Sequence, residues 1–384
     1  MQEATDGLRI EAGKVYVAPA GRYLSITKEA FEVEGAAERG HAPLPIDVCL
    51  RSLARERRHR AVGIVLSGAG TDGTLGLAAI REEGGMTLAQ DPATAEFRDM
   101  PASAISHGVV DLLLPVSEMP SKLEAFASTP IEDRRQQSRA EKRRSELEEE
   151  EEDEGALERI LSLVADHAGR DFSAYKRGTL LRRIDRRRSL LQIEDLEAYA
   201  NHLENEPSEI ETLWRDWLIG VTGFFRDAPA FEVLREALVP RIEQIQDGEE
   251  LRFWVPGCAS GEEAYSLAIL AFELLEETGR RLNLRIFATD VDERAIETAR
   301  AGCYPEGTIA DVGPERTQRF FDRQDSQYRV GKKVRDAVVF APQNLLQDPP
   351  FTKMDLISCR NLLIYLKPKA QKRILMLLHY SLKP

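Results

Sequence analysis

The chain lacks any apolar run approaching the ~18–20 residues that cross a bilayer, and no basic stretch followed by an apolar core opens it. Neither membrane insertion nor a secretory leader is expected. Cysteine is sparse: Cys49, Cys258, Cys303 and Cys359 are scattered, with no CxxC pair. That argues against a disulfide framework or a zinc site, so no metal is expected, and it fits a reducing, cytoplasmic setting. Positive charge is in deficit, with 52 Lys and Arg against 65 Asp and Glu and a net charge of −13. Nucleic acid is therefore not expected as a partner of the whole chain. Histidine is also scarce, and no compelling general base stands among the six. No internal repeat is visible.

What is present suits a globular protein of two or three domains: 384 residues, 42% hydrophobic and 30% charged. Residues 1–128 read as α/β, with strand patterns at Ala61–Ser67, Met86–Gln90 and Val109–Leu114 and a helix at Leu75–Glu83 after a turn punctuated by Gly68, Gly70, Gly73 and Gly76. Residues 129–155 carry charge clusters and no core. Their seven consecutive acids, Glu148–Glu154, read as a disordered linker, with a solvated helix as the alternative. Residues 156–236 read as all-helical. Leu180, Leu181, Ile184 and Leu191 share one arc of a helix, and Arg182, Arg183, Arg186 and Arg187 share the other. From about residue 250 strands and helices alternate, with strands at Leu251–Val255, Leu284–Thr289, Ala337–Ala341 and Met354–Ser358. That is the pattern of a doubly wound sheet.

Four features sit just past those strands, where open α/β sheets bind ligands. They are the turn Gly257–Glu263, Asp290 in FATDVD, Asn344-Leu345, and Cys359-Arg360-Asn361 running on to Tyr365. An acid at the position of Asp290 can accept hydrogen bonds from two ribose hydroxyls. A lone Asp after a strand is more often a turn or cap residue, but four such features in order point to a cofactor pocket.

GVTGFFRD (220–227), GCASGEEAYSLA (257–268), FATDVD (287–292), NLL (344–346) and SCRNLLIYL (358–366), with DFSAYKRGTLLRRIDRR (171–187), resemble the CheR family of chemotaxis methyltransferases. The resemblance covers roughly 155–384. It implies S-adenosylmethionine as methyl donor and receptor glutamates as acceptors. By position it implies Thr222, Arg226, Glu262, Asp290, Asn344, Leu345, Arg360 and Asn361 as cofactor-binding residues, with Glu263 competing for the role of Glu262. The family usually has Asn where this chain has Gly220, which removes one polar contact to the cofactor. Residues 303–336 correspond to a small subdomain inserted in the family's sheet.

Methyl transfer to a carboxylate needs no strong base, because a glutamate with a free pKa of ~4.3 is already ionised at neutral pH. The requirement is alignment and exclusion of water. Arg226 and Tyr365 are the candidates for steering the acceptor, and the alternative is that Arg226 only pairs with Asp227 or a neighbouring acid and Tyr365 only packs. For the basic stretch Lys176, Arg182, Arg183, Arg186 and Arg187 there are two main readings: a solvated face, or a docking face for acidic receptor helices, which the resemblance favours. Nucleic acid is the third reading.

Residues 65–115, with the turn GTDG and Met100-Pro101, resemble the C-terminal half of the CheB methylesterase domain. Asp72 corresponds to the acid of that family's Ser-His-Asp triad. The family's serine and histidine lie ahead of residues 14–26, at positions this chain does not have, and His107 lies in a different segment. The expectation is a partial esterase unable to hydrolyse esters alone. The arrangement resembles CheB–CheR fusion proteins, which are often continued by PAS and kinase modules. The expected fold is thus α/β: a partial esterase-like domain at 1–128, a charged linker or helix at 129–155, a small all-helical domain at 156–236, and an incomplete Rossmann-like methyltransferase sheet at 237–384. The family's sheet continues past the point where this chain stops, so a fragment of a longer product is expected, with the strand at 354–358 left as an open apolar edge. The leading functional expectation is a protein-glutamate O-methyltransferase. The alternative is a non-catalytic scaffold that binds receptor or cofactor without turnover.

Overall fold

Apolar strands alternating with helices produce two parallel sheets here, because a parallel pair needs a crossover long enough to hold a helix. The computed structural model describes residues 1–35, 44–128, 145–169, 171–218, 220, 222–309, 312–324 and 327–383. The chain opens with a parallel pair, β1 (Gln2–Glu3) and β2 (Tyr16–Val17), then a hairpin, β3 (Arg22–Thr27) and β4 (Ala30–Gly35). The hairpin turns at Lys28 and Glu29, both left-handed with φ 50° and 68°. A two-residue turn with positive φ at both positions usually announces itself as Asn-Gly or Asp-Gly, and here it does not.

The chain continues through α1 (Pro45–Arg57), β5 (Val62–Val65), α2 (Thr74–Glu82), β6 (Met86–Gln90), α3 (Asp99–Ser106), β7 (Leu112–Leu114) and α4 (Met119–Ser128). β5, β6 and β7 form a parallel sheet in that order. Four helices follow: α5 (Ser145–Ala168), α6 (Arg177–Leu191), α7 (Leu196–Asn205) and α8 (Pro207–Trp217). Of the two readings given for 129–155, linker or helix, the helix is found from Ser145 onward. The acidic run lies inside α5, which continues into an apolar face of Ala156, Leu157, Ile160 and Val164. The rest of that expectation, 129–144, lies outside the described residues.

The final stretch is α9 (Ala228–Gln244), β8 (Glu250–Pro256), α10 (Glu262–Glu277), β9 (Asn283–Asp290) and α11 (Glu293–Ala301). Then come β10 (Cys303–Pro305), α12 (Glu306–Ile309), α13 (Pro314–Phe320), β11 (Phe321–Gln324), β12 (Gln327–Val330), α14 (Lys332–Ala337), β13 (Val338–Pro342), β14 (Leu356–Ile357) and α15 (Pro368–Ser381). The large sheet has the order β13-β9-β8-β14, with every pair parallel. Its order reverses at β8, since β9 and β13 lie on one side and β14 on the other. A crevice therefore opens at the carboxyl ends of β8 and β14. β10, β12 and β11 make a small antiparallel sheet of their own. The open edge expected at 354–358 is partly covered. Leu382 bridges Met354 in parallel, and Lys383 Nζ reaches the buried carboxylate of Asp355 at 2.7 Å.

Compactness divides the chain into two units. One comprises Met1–Cys49, Thr71–Leu75 and Gly220–Pro384; the other comprises Leu50–Gly70 and Gly76–Ile219. The second unit is held in part by apolar packing: Leu190 of α6 lies against Met86, Leu88, Met119 and Phe126. It is also held by buried charge. Arg186 donates to Gly85 O (3.0 Å), to Asp216 (2.8 Å) and to Asp111, while Arg81 donates to Asp216 and to Gly108 O. Arg183 donates to the carbonyls of Arg81 (2.6 Å) and Glu82 (2.9 Å). Burial, with Arg186 beside it, pulls the Arg183 guanidinium down to about 10. For Asp216 burial pushes up, but Arg186, Arg81 and Arg187 together outweigh it and hold the carboxyl down at about 2.

The expected docking face is corrected at Arg183 and Arg186. Arg183 and Arg186 are buried, 4% and 2% exposed, and their donors are taken up inside the unit. Arg187 pairs with Glu209 through two bonds of 2.8 and 2.6 Å. Lys176 and Arg182 are exposed.

In the first unit, Gly261 at the start of α10 has φ +95°, and a Cβ there would stand 2.8 Å from Ala299 Cβ and 3.1 Å from the Phe340 ring. Gly261→Ala is expected to destabilise this unit by about 1–3 kcal/mol, read as a lower urea midpoint. An unchanged midpoint would show that the turn shifts at no cost.

Candidate active site

The crevice at the switch point is built from backbone first. After β8 the turn Gly257–Gly261 carries left-handed residues at Gly257 (φ 72°), Ala259 (φ 46°) and Gly261 (φ 95°). Gly257 N and Cys258 N donate to Thr289 O at 2.7 and 3.0 Å. Ala259 N donates to Asp290 Oδ2 (2.8 Å), and Asp292 N donates to Asp290 Oδ1 (2.9 Å). Asp290 O in turn accepts from Gln343 N at 2.9 Å, which ties β13 to the same point. Burial pushes the Asp290 carboxyl up, and those backbone donors oppose it.

Two adjacent glutamates begin α10 and meet different fates. Glu262 is 5% exposed and is bonded by the Ser260 hydroxyl, 2.8–2.9 Å from its two oxygens. Tyr304 O–H donates to Ser260 O (2.6 Å) from the small subdomain. Burial pushes Glu262 up to about 7, with the Ser260 bond opposing. Glu263 is only half-buried. It accepts from Ser358 Oγ (2.6 Å) just past β14, and Arg360 Nη1 stands 3.8 Å away. Arg360 lies above the Phe231 ring (5.6 Å to its centre) and reaches Asp227 at 3.4 Å. The geometry thus brings Glu263 together with Ser358, Arg360 and Asp227, and turns Glu262 inward.

The loop 222–227 approaches from the other side. Phe224 is buried against Tyr304 and Phe321, with ring centres 5.0 and 5.4 Å apart. Phe225 packs on Phe231 and under Arg316, and its N–H donates to Ser266 Oγ at 2.9 Å. Phe225 and Asp227 are both left-handed (φ 48° and 66°), so Arg226 is held between two strained residues. Thr222 is half-buried. At Gly220 a Cβ would touch only Ala259 Cβ, at 4.0 Å, so there is room for a side chain beside the turn.

The remaining expected residues lie on two turns. Asn344 Oδ1 accepts from Leu346 N (3.0 Å), and Asn344 N donates to Asp348 (2.6 Å), leaving the side-chain amide nitrogen of Asn344 outside that turn. Leu345 is half-buried beside it. Asn361 is exposed and left-handed (φ 58°). Tyr365 ends a short 3₁₀ turn, Leu363–Tyr365, which Gln371 Nε2 fastens through Leu363 O and Leu366 O at 2.8 and 3.1 Å. Sequence reasoning passed over Ser260 and Ser358. Each stands inside a motif already in view, and its role comes only from the acid it meets in space. Gln343 was also passed over; its Oε1 is buried with no partner among the described residues.

Asp72 accepts from Ile46 N (3.0 Å), Asp47 N (2.9 Å) and Gly73 N (2.8 Å), so it caps the start of α1. Burial pushes its carboxyl up against those bonds. His107 sits at the end of α3, with Nδ1 2.7 Å from Ser103 O. Among the described residues no group of three or more His, Cys, Asp or Glu could hold a metal ion, and no helix is long and apolar enough to cross a membrane.

Glu262 generates a pH test. Its folded-state pKa lies above the unfolded value, so the folded chain binds the extra proton between the two and stability falls as pH rises from about 4.5 to about 7. Glu262→Gln is expected to remove this slope and to raise stability at pH 8, relative to pH 4.5, by on the order of 2–3 kcal/mol. Parallel pH profiles for both proteins would place the titration elsewhere.

Comparison with known proteins gives three matches along the chain. Residues 220–384 match the family described as CheR methyltransferase, SAM binding domain; residues 155–216 match CheR methyltransferase, all-alpha domain; and residues 1–123 match CheB methylesterase. The chain is 38% identical over 398 residues to an uncharacterized 104.1 kDa protein of Rhodobacter capsulatus, a match covering 98% of this chain and 41% of that one. It thus spans less than half the length of that relative. It is 33% identical over 239 residues to the chemotaxis protein methyltransferase of Klebsiella aerogenes, covering 59% of this chain and 78% of that protein. The corresponding Escherichia coli protein is 31% identical, with 59% and 79% covered.

Proposed function

Since this chain belongs to the CheR family of chemotaxis protein methyltransferases, with a CheB-type segment ahead of the CheR parts, we propose that it binds S-adenosylmethionine in the β8–β14 crevice and methylates glutamate side chains of sensory proteins. The observation that carries the reading is the convergence of four strand ends. Asp290, Glu263 with Ser358 and Arg360, the loop bearing Arg226, and the Asn344 turn come from separate parts of the sequence and surround one crevice.

The residues present suit such a cofactor. Asp290 keeps acceptor capacity for ribose hydroxyls beyond the two backbone N–H groups it already takes. Glu263 offers a half-buried carboxylate to a cationic group, and Asn344 an amide nitrogen to a base edge. Bound there, S-adenosylmethionine supplies an electrophilic methyl group on a sulfonium. The protein's part is positional. Arg226 and Tyr365 would orient the acceptor carboxylate by charge and by a hydroxyl donor. Phe224, Phe225 and Phe231 make an apolar wall that keeps water from the line of transfer. The acceptors proposed are glutamates on receptor helices, and the setting proposed is the cytoplasm.

Purified chain given radiolabelled S-adenosylmethionine is expected to label receptor glutamates as base-labile methyl esters. Asp290→Ala should weaken cofactor binding about tenfold or more by calorimetry, because it removes charge-assisted bonds of roughly 1.5–3 kcal/mol. An unchanged dissociation constant would move the ribose elsewhere.

One observation favours a second reading, a non-catalytic module that binds without turnover. Gly220 leaves space where the family carries a polar side chain. Gly220→Asn separates the two readings: tighter cofactor binding with faster transfer supports the enzyme, whereas tighter binding with no transfer in either protein supports the module.

A further inference from the structure

The CheB-type and all-α segments matched separately, yet residues 50–70 and 76–123 of the first share one compact unit with the second. What joins them is specific. α2, in the CheB-type segment, ends at Glu82; the carbonyls of Ala79, Ile80 and Arg81 take the N–H groups of Glu83, Gly85 and Gly84, and this end of the helix carries the negative end of its dipole. The turn that follows is Gly84-Gly85. A Cβ on Gly85 would meet Ala61 O at 2.4 Å, so glycine is required for the chain to bend there. Into this end reach two arginines of α6: Arg183 on the carbonyls of residues 81 and 82, and Arg186 on that of residue 85.

Two ion pairs then cross in opposite directions. Arg186 of the all-α segment pairs with Asp111 of the CheB-type segment, and Arg81 of the CheB-type segment pairs with Asp216 of the all-α segment. Asp111 is itself held by Thr87, whose N–H and hydroxyl donate to Oδ2 at 2.8 and 2.9 Å. Leu190, one turn further along α6, seats in the apolar cluster of Met86, Leu88, Met119 and Phe126. The arginines on the carbonyls, the Arg186–Asp111 pair and the apolar plug all fall on one face of α6.

We propose that the CheB-type segment works in this chain as an internal docking module: a socket for arginines that takes up the face of α6 and closes it to acidic partners from outside. Its partner is the all-α segment of the same chain, and residues 50–70 and 76–123 unfold with it as one body. This inference concerns neither the crevice nor its cofactor, and it stands or falls apart from the methyltransferase reading.

The test is hydrogen exchange on the full chain without cofactor. Asp111→Ala is expected to speed exchange of the α6 amides by at least tenfold, although Asp111 belongs to the other segment. Exchange in α6 within twofold of the parent would overturn the proposal. Should Asp111→Ala fail to fold, Arg183→Met reads the same coupling while leaving both aspartates paired. It should speed exchange around Gly85 and Met86, and no change there would equally overturn it. A second arm uses a glutamate-rich helical peptide. Its affinity for the chain should be the same with Arg183→Met as without, whereas weaker binding by the variant would mean that the arginine face is open and the socket is not.

Discussion

Two backbone N–H groups, those of Ala259 and Asp292, converge on the carboxylate of Asp290, and the strand-end crevice is arranged around that point. The bond to Ala259 holds the turn after β8 in its left-handed shape. The bond to Asp292 shapes the entry to α11. The carbonyl of the same residue takes the N–H of Gln343 and so fixes where the chain leaves β13. One side chain with its own backbone thereby sets three of the segments that border the site. A half-buried carboxylate so placed resists ionisation, and the protein answers with main-chain donors rather than with a cation. Positive charge is thus left for the other side of the crevice, where Arg360 and Arg226 stand.

The same economy explains the neighbouring glutamates. Successive residues on a helix point about 100° apart, so Glu262 and Glu263 cannot serve one surface. The first turns into the core beside Ser260 and Tyr304; the second faces Ser358 and Arg360. A motif with two acids in a row therefore places them in two different surroundings, and only the fold tells which is which.

Much of this was legible beforehand. β8, β9 and β13 were readable as short apolar runs, and the four strand-end features were readable because each motif stands where its strand stops. The all-helical character of 156–236 was readable, and α6 followed from the arc shared by Leu180, Leu181, Ile184 and Leu191. What escaped did so for physical reasons. Arg183 and Arg186 read as solvent-facing because an arginine alone cannot bury its charge; their acceptors lie up to about a hundred residues away along the chain, and the charge becomes affordable only when those carbonyls and carboxylates arrive. The acidic stretch of α5 read as a linker because like charges oppose a helix; it is carried by the apolar face that follows it. The hairpin at 22–35 was missed because Lys28-Glu29 gives no glycine signal for its left-handed turn.

The crossed pairs of Arg81 with Asp216 and of Arg186 with Asp111 carry an evolutionary consequence. Each segment holds one acid and one base that pair across to the other, in addition to the pairs Arg186–Asp216 and Arg81–Asp111 within a segment, so neither can drift at these positions alone. Replacing either segment by its equivalent from a stand-alone relative would remove both crossing pairs and leave only the pairing within a segment, Arg186 with Asp216 or Arg81 with Asp111. Inheritance should accordingly treat the two as a single cassette, with residues 81, 111, 186 and 216 changing together across lineages or not at all.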